Sequence, residues 1–310
     1  MEIGIVIVTF KLISICVFEF QVNNVPGIVV GVSKSGKTVW TYSDGLADVE
    51  NNVKCHQDTV MRIASISKPI TTALLGHLLQ QRKVSLDEPI SKYLKQEQFP
   101  VKLWDGKKVE ITLRQLASHC GGIRHYKKND SKQSDSEYEF PEMLIKDHFS
   151  SVFDSLKIFK DDPLVAKPGT KYNYSTFGYT LLSAVIEAVV NEPFDKQLMN
   201  FVNKTLGMNN TFLDIHSTII PNRCSFYMKM KPNGKLINVP YVDNSYKWAG
   251  GGLLSTVPDL IKFGNAMLYC FKGGFNGKKG FLNKEIIDQL WKPVPSEGSR
   301  YSDWGGYGIL

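Results

Sequence analysis

Val60-Met61-Arg62-Ile63-Ala64-Ser65-Ile66-Ser67-Lys68-Pro69-Ile70-Thr71 is the stretch on which the reading of this chain turns. Its apolar residues continue as Ile66, Ile70, Ala73, Leu74 and Leu78, a spacing that predicts an amphipathic helix. Ser65 opens that helix, and serine favours a helix N-terminus. Pro69 falls in the first turn, where early N–H groups have no partner inside the helix, so its missing N–H is tolerated. Helical positions i and i+3 share one face about a turn apart, so Ser65-Ile66-Ser67-Lys68 brings an amine towards a hydroxyl. Serine is a poor nucleophile without an adjacent base. Lysine serves as that base once burial or a nearby positive charge lowers its pKa. A base so placed contributes on the order of 10²–10⁴ in rate. The tetrad alone is weak, because composition produces Ser-x-x-Lys roughly once or twice in a chain of this size. Its setting has to carry the rest.

Upstream, Gly27-Ile28-Val29-Val30-Gly31-Val32 is a β-branched run, Lys34-Ser35-Gly36-Lys37 supplies turn chemistry, and Thr38-Val39-Trp40-Thr41-Tyr42 follows. Together they predict a β-hairpin. Downstream, residues 127–139 are charged and serine-rich, which predicts a surface excursion or mobile loop. Tyr179 to Val190 is apolar and long enough for a buried helix. Gly250, Gly251 and Gly252 follow Trp248, ahead of another helical stretch from Pro258 to Tyr269. No repeat recurs at a solenoid period. The order predicts an α+β chain, with a mainly helical lobe inserted between sheet elements.

The 310 residues, 43% hydrophobic and 22% charged, have ordinary globular values, which excludes disorder, collagen and a multi-span membrane protein. The net charge of +7 comes with no run of five basic residues, so it reads as diffuse solvated lysine. Nucleic acid is therefore not an expected partner. Cys16, Cys55, Cys120, Cys224 and Cys270 form no CxxC pair and make no disulfide framework. They suit a reducing compartment or simple burial. The six histidines show neither HxH nor HExxH spacing, so no metal and no cofactor is expected. Residues 1–25 read as a hydrophobic leader of unclear type, followed by one domain over 26–310. Glu2 stands where a signal peptide carries positive charge, and residues 1–20 hold no arginine, unlike a transit peptide. A membrane span would have Lys11 near its centre. A signal or short anchor, and a mispredicted first exon, stay open.

Around the tetrad the sequence resembles the serine β-lactamases, penicillin-binding proteins and their esterase relatives. Three more stretches carry the likeness: Leu116-Ala117-Ser118-His119-Cys120-Gly121-Gly122-Ile123-Arg124-His125-Tyr126, Lys167-Pro168-Gly169-Thr170-Lys171-Tyr172-Asn173-Tyr174-Ser175-Thr176-Phe177-Gly178-Tyr179, and Pro240-Tyr241-Val242-Asp243-Asn244-Ser245-Tyr246-Lys247-Trp248-Ala249-Gly250-Gly251-Gly252. It runs over nearly everything from Pro26 to Leu310. The resemblance implies a β-lactamase/transpeptidase-like antiparallel sheet with flanking helices, and Ser65 attacking a peptide or ester carbonyl while Lys68 takes its proton. In that family a Tyr-x-Asn motif follows a Pro-Gly-Thr turn and helps shuttle the proton. Counting from Pro168-Gly169-Thr170 places the tyrosine at Tyr174, with Thr176 where the family usually has asparagine, and makes Tyr172-Asn173 a decoy. Thr176 offers one hydroxyl and cannot copy an amide's two-sided hydrogen bonding. Thr176, Gly251 and Gly252 are the substrate-binding candidates. The family's third motif, Lys/His-Thr/Ser-Gly, is not found before Trp304-Gly305-Gly306-Tyr307-Gly308-Ile309-Leu310. The expectation is a chain short of its C-terminal strands and of one oxyanion donor, a loss that costs roughly 10²–10³ in rate.

Likeness to the family's animal mitochondrial branch implies a mitochondrial intermembrane location, peptidase activity, a link to lipid metabolism and filament-like self-assembly. A secreted or membrane-anchored protein, with residues 1–20 at the membrane, is the alternative location. A catalytically silent scaffold that keeps the fold is the alternative function. His119 and His125 read as packing residues, since nothing in the sequence ties them to Ser65. Gly250-Gly251-Gly252 is no phosphate loop, because no Lys-Ser/Thr follows. Glycosylation patterns start at Asn173, Asn203 and Asn209, and a glycan on Asn173 would crowd the site, which counts against a secretory route.

Overall fold

A computed structural model describes residues 25–128, 140–230, 234–274 and 280–294. The readings of residues 1–20, of 304–310 and of nearly all of 127–139 lie outside them. The strands among the described residues are β1 (Gly27–Lys34), β2 (Lys37–Asp48), β3 (Val53–Lys54), β4 (Met61–Arg62), β5 (Lys102–Trp104), β6 (Lys107–Val109), β7 (Phe212–Leu213), β8 (Tyr227–Lys229), β9 (Leu236–Asn238) and β10 (Leu253–Ser255). The α-helices among the described residues are α1 (Ser67–Gln80), α2 (Leu113–Ala117), α3 (Val152–Ser155), α4 (Thr176–Val190), α5 (Phe194–Asn200), α6 (Trp248–Gly251), α7 (Val257–Phe271) and α8 (Lys284–Trp291). The chain is α+β, and the pairs among these named strands are antiparallel.

The predicted hairpin is β1–β2, in register from Gly27↔Gly45 to Lys34↔Lys37, with β3 added on the far side of β2. Its turn residues Ser35 and Gly36 have φ of 52° and 78°, as a mirror-image two-residue turn requires. Helix α7 covers this sheet so closely that a Cβ on Gly31 would come within 2.5 Å of Val257. A second small sheet, in the order β4-β10-β7, leads directly into the site.

Helix α1 departs from the predicted pattern in two ways. It begins at Ser67, so Ser65 lies on the single 3₁₀ turn Ala64–Ile66 that precedes it. It is also buried on nearly every side, with Ile70, Ala73, Leu74, Leu75 and Leu78 in the core. Its polar residues survive burial because they are bonded: Thr71 Oγ1 donates to Ala249 O at 2.9 Å and Thr72 Oγ1 to Lys68 O at 3.0 Å. Helix α4 is buried from Thr176 to Ile186, and it supplies Phe177, Leu181 and Leu182 to the same core. Helix α8 closes against α1 at Gly76, where a Cβ would meet Leu290 at 2.8 Å. No described helix is long and apolar enough to cross a membrane.

Candidate active site

Four segments meet in front of α1. Ala64, just before the hydroxyl-bearing residue, has φ of +44°, an unfavourable value for a side chain with a Cβ. Backbone held this way costs on the order of 1–3 kcal/mol and persists where the surroundings enforce it. Here Ser67 Oγ donates to Ala64 O at 2.7 Å and accepts from Leu253 N at 3.3 Å, tying the turn to β10. Ser65 is exposed, whereas Lys68, one turn on, is only 4% exposed.

The amine of Lys68 lies 3.1 Å from Ser65 Oγ, 2.7 Å from Tyr174 Oη and 2.6 Å from Gly250 O. Tyr174 Oη and Ser65 Oγ are 2.5 Å apart. Ser65, Lys68 and Tyr174 thus form a closed polar triangle. Burial, with Lys247 as a second cause, lowers the Lys68 amine to about 7. Lys247 is itself 7% exposed and brought to about 7 by burial and by Arg62, while Asp214 acts the other way. Its Nζ donates to Met143 O at 2.7 Å. The Tyr174 phenol is raised, chiefly by burial, with the bond to Ser65 opposing. The arrangement therefore holds a largely protonated phenol between a hydroxyl and an amine that carries a lone pair near neutral pH.

The other predicted residues stand apart from the triangle. Thr176 is 4% exposed, at the first turn of α4, with its methyl against Gly250. It backs the site and does not open onto it. A Cβ on Gly251 would meet the Ala64 backbone at 3.8 Å, and Gly252 folds back on Trp248 while its carbonyl accepts from Asp214 N at 2.8 Å. Tyr172 meets the edge of the His119 ring at 5.7 Å.

Three contributors escape the sequence reading. Gly250 supplies a backbone carbonyl, and a carbonyl has no side-chain signature. Lys247 is close only through tertiary folding. Asp214, 5% exposed, accepts from Arg62 Nε at 2.6 Å, Arg223 Nη2 at 2.5 Å and Asn244 Nδ2 at 2.5 Å. It thereby joins the strand before Ser65 to the loop before Lys247. The described residues contain no group of His, Cys, Asp and Glu able to hold a metal ion.

A Beta-lactamase family model matches residues 17–306. The chain is 39% identical over 342 residues to the human serine beta-lactamase-like protein LACTB, mitochondrial, and 38% identical to the mouse protein of that name. Each match takes in 92% of this chain and 62% of the relative, so the chain spans about three-fifths of their length. Among solved structures it is similar to the octameric penicillin-binding protein homologue from Pyrococcus abyssi, with a TM-score of 0.75 at 24% identity over all of this chain and 64% of that one. It is also similar to a D-stereospecific amidohydrolase from Streptomyces sp., with a TM-score of 0.71 at 25% identity over 92% of this chain and 77% of that one. A resemblance read from four stretches of sequence, a fold of the penicillin-binding type and a family match over nearly the whole chain agree: this chain belongs to the β-lactamase family of serine hydrolases.

Proposed function

We propose that the chain cleaves an acyl bond through a covalent intermediate on Ser65. The observation that carries this reading is the closed triangle of Ser65, Lys68 and Tyr174 around an amine with a lowered pKa. Ser65 Oγ bonds to the substrate carbonyl carbon as its O–H proton passes to the Lys68 nitrogen, directly or by way of Tyr174. The carbonyl π pair becomes an oxyanion, with the Ser65 backbone N–H as one donor to it. On collapse the leaving group departs with the proton from the ammonium. Water then repeats the sequence on the ester and frees Ser65. A neutral amine keeps two N–H bonds, and Gly250 O takes one of them, which leaves the lone pair facing the hydroxyls. No metal or cofactor enters these steps.

A peptide or ester is the substrate class of this reading. Mitochondrial placement belongs to it too, supported by the names of the mammalian relatives. The octameric penicillin-binding protein homologue supports self-assembly as a further part. A serine-reactive fluorophosphonate tests the chemistry. Labelling of the wild-type chain that disappears in Ser65→Ala is the expected result. A folded protein that takes no label overturns the enzyme and leaves a scaffold that keeps the fold.

A further inference from the structure

The phenol of Tyr174 is the least anchored member of the triangle by position. It lies 36% exposed, on the residue before the N-cap of α4. Yet its oxygen has to stay within reach of Ser65 and Lys68 together. Two imidazoles lie against its ring. His119 is tilted over it with ring centroids 4.5 Å apart, and His125 meets it edge-on at 5.3 Å.

The same two rings hold the backbone that carries Tyr174. His119 Nδ1 accepts from Ser175 N at 3.1 Å and His125 Nδ1 from Thr176 N at 3.3 Å. These are the first N–H groups of α4, which have no acceptor inside the helix. On the other side of the tyrosine, Asn173 N donates to His119 O at 2.8 Å. His119 therefore grips the residue before Tyr174 and the residue after it while its ring covers the phenol. It does so with φ of +61°, a left-handed backbone that glycine adopts freely and that asparagine, aspartate and histidine enter more often than other residues.

We infer that His119 and His125 are positioning residues that bracket the phenol ring of Tyr174 and fix its oxygen between Ser65 and Lys68. The inference rests on the acyl-transfer reading above and adds two residues to it. Both imidazoles must accept at Nδ1, so each carries its proton on Nε2 and is uncharged. Burial, then the Lys68 charge, keeps His119 down at about 3 and His125 at about 4, so neither gains a second proton near neutral pH. At those values neither is a useful base at pH 7. Their contribution is geometric.

His119→Asn and His125→Asn test this. Asparagine tolerates the left-handed backbone at position 119 and presents an amide oxygen to the helix N–H, but it has no ring to cover the phenol. Fluorophosphonate labelling, scaled to the folded fraction, is expected to slow by on the order of 10² in each variant, because small misplacements of reacting groups cost that much. In a Tyr174→Phe background the same substitutions should slow labelling no further, since the group they position is gone. Equal slowing in both backgrounds, as general loosening would give, overturns the inference. Ring-labelled tyrosine NMR gives a readout independent of activity. The Tyr174 signal, identified by its loss in Tyr174→Phe, should move in His119→Asn and His125→Asn. An unmoved signal overturns the bracket even if the wild-type chain takes no label, an outcome that would sink only the acyl-transfer reading. Position 125 has an ordinary backbone, so His125→Asn decides the matter if His119→Asn fails to fold.

Discussion

Lys68 Nζ donates to the carbonyl oxygen of Gly250 at 2.6 Å, across 182 positions of sequence. Through that bond and the one from Thr71 to Ala249, the helix bearing the proposed base is fastened to the glycine turn that backs it. The amine is thus held by a neutral acceptor. Among the described residues no carboxylate stands against it to restore its usual pKa.

The pH dependence of acylation follows. With Lys68 at about 7, the neutral amine grows as pH rises through that value. Labelling of Ser65 should climb between about pH 6 and 8 and then level off, because each pH unit below the pKa removes about tenfold of the free base. Lys68→Met should lower the plateau by on the order of 10²–10⁴. A rate flat from pH 5 to 9 contradicts the assignment.

Lys247 sets part of that value. Lys247→Met removes a positive charge near Lys68, so the Lys68 pKa rises and the acid limb of the labelling profile moves to higher pH. Stability should respond as well. Lys247 has a folded pKa near 7 against an ordinary 10.5, so its buried charge weakens the fold fully below pH 7 and the penalty fades as pH rises towards 10.5. The variant's gain over wild type, measured by urea unfolding, should be largest at pH 6 and shrink above pH 7.

Asp214→Asn should destabilise the fold by about 3 kcal/mol, since it removes a buried carboxylate from two partly buried guanidinium groups. Urea unfolding of the variant measures this directly. A loss below about 0.5 kcal/mol, the size of an exposed pair, would show that the carboxylate carries no such load.

Ser175→Ala removes an N-cap. Ser175 Oγ accepts from Gly178 N at 2.9 Å and donates to Arg124 O at 2.6 Å, and the residue is 2% exposed. A loss of about 1–2 kcal/mol is expected, seen as a lower urea midpoint at unchanged slope.

Much of the site is written in local spacing. The i, i+3 interval places Ser65 and Lys68 together, and the Pro168-Gly169-Thr170 turn, with Gly169 at φ of 83°, sets the register of Tyr174. The hairpin is legible for the same reason, because Ser35-Gly36 is turn chemistry between two β-branched runs. The start of α1 is not, since Ala64 adopts a backbone that alanine does not favour, held by a bond from Ser67, whose hydroxyl is in turn tied to distant Leu253. Nor are Gly250 O, Lys247 and Asp214, which reach the site from more than 140 residues away. His119 and His125 do read as packing residues, and they are. What they pack against emerges only when α4 starts beside them.

The glycine at position 250 leaves one more trace. A methyl group there would sit 2.7 Å from Thr176 Cγ2 and 3.3 Å from Thr176 O. The two sites thus share one small volume, and a methyl can be added at one only if the other gives one up. Gly250→Ala should be tolerated poorly alone and better alongside Thr176→Ser, which makes the pair a built-in example of compensation between distant positions. Alleles that enlarge residue 250 should survive selection only when residue 176 shrinks.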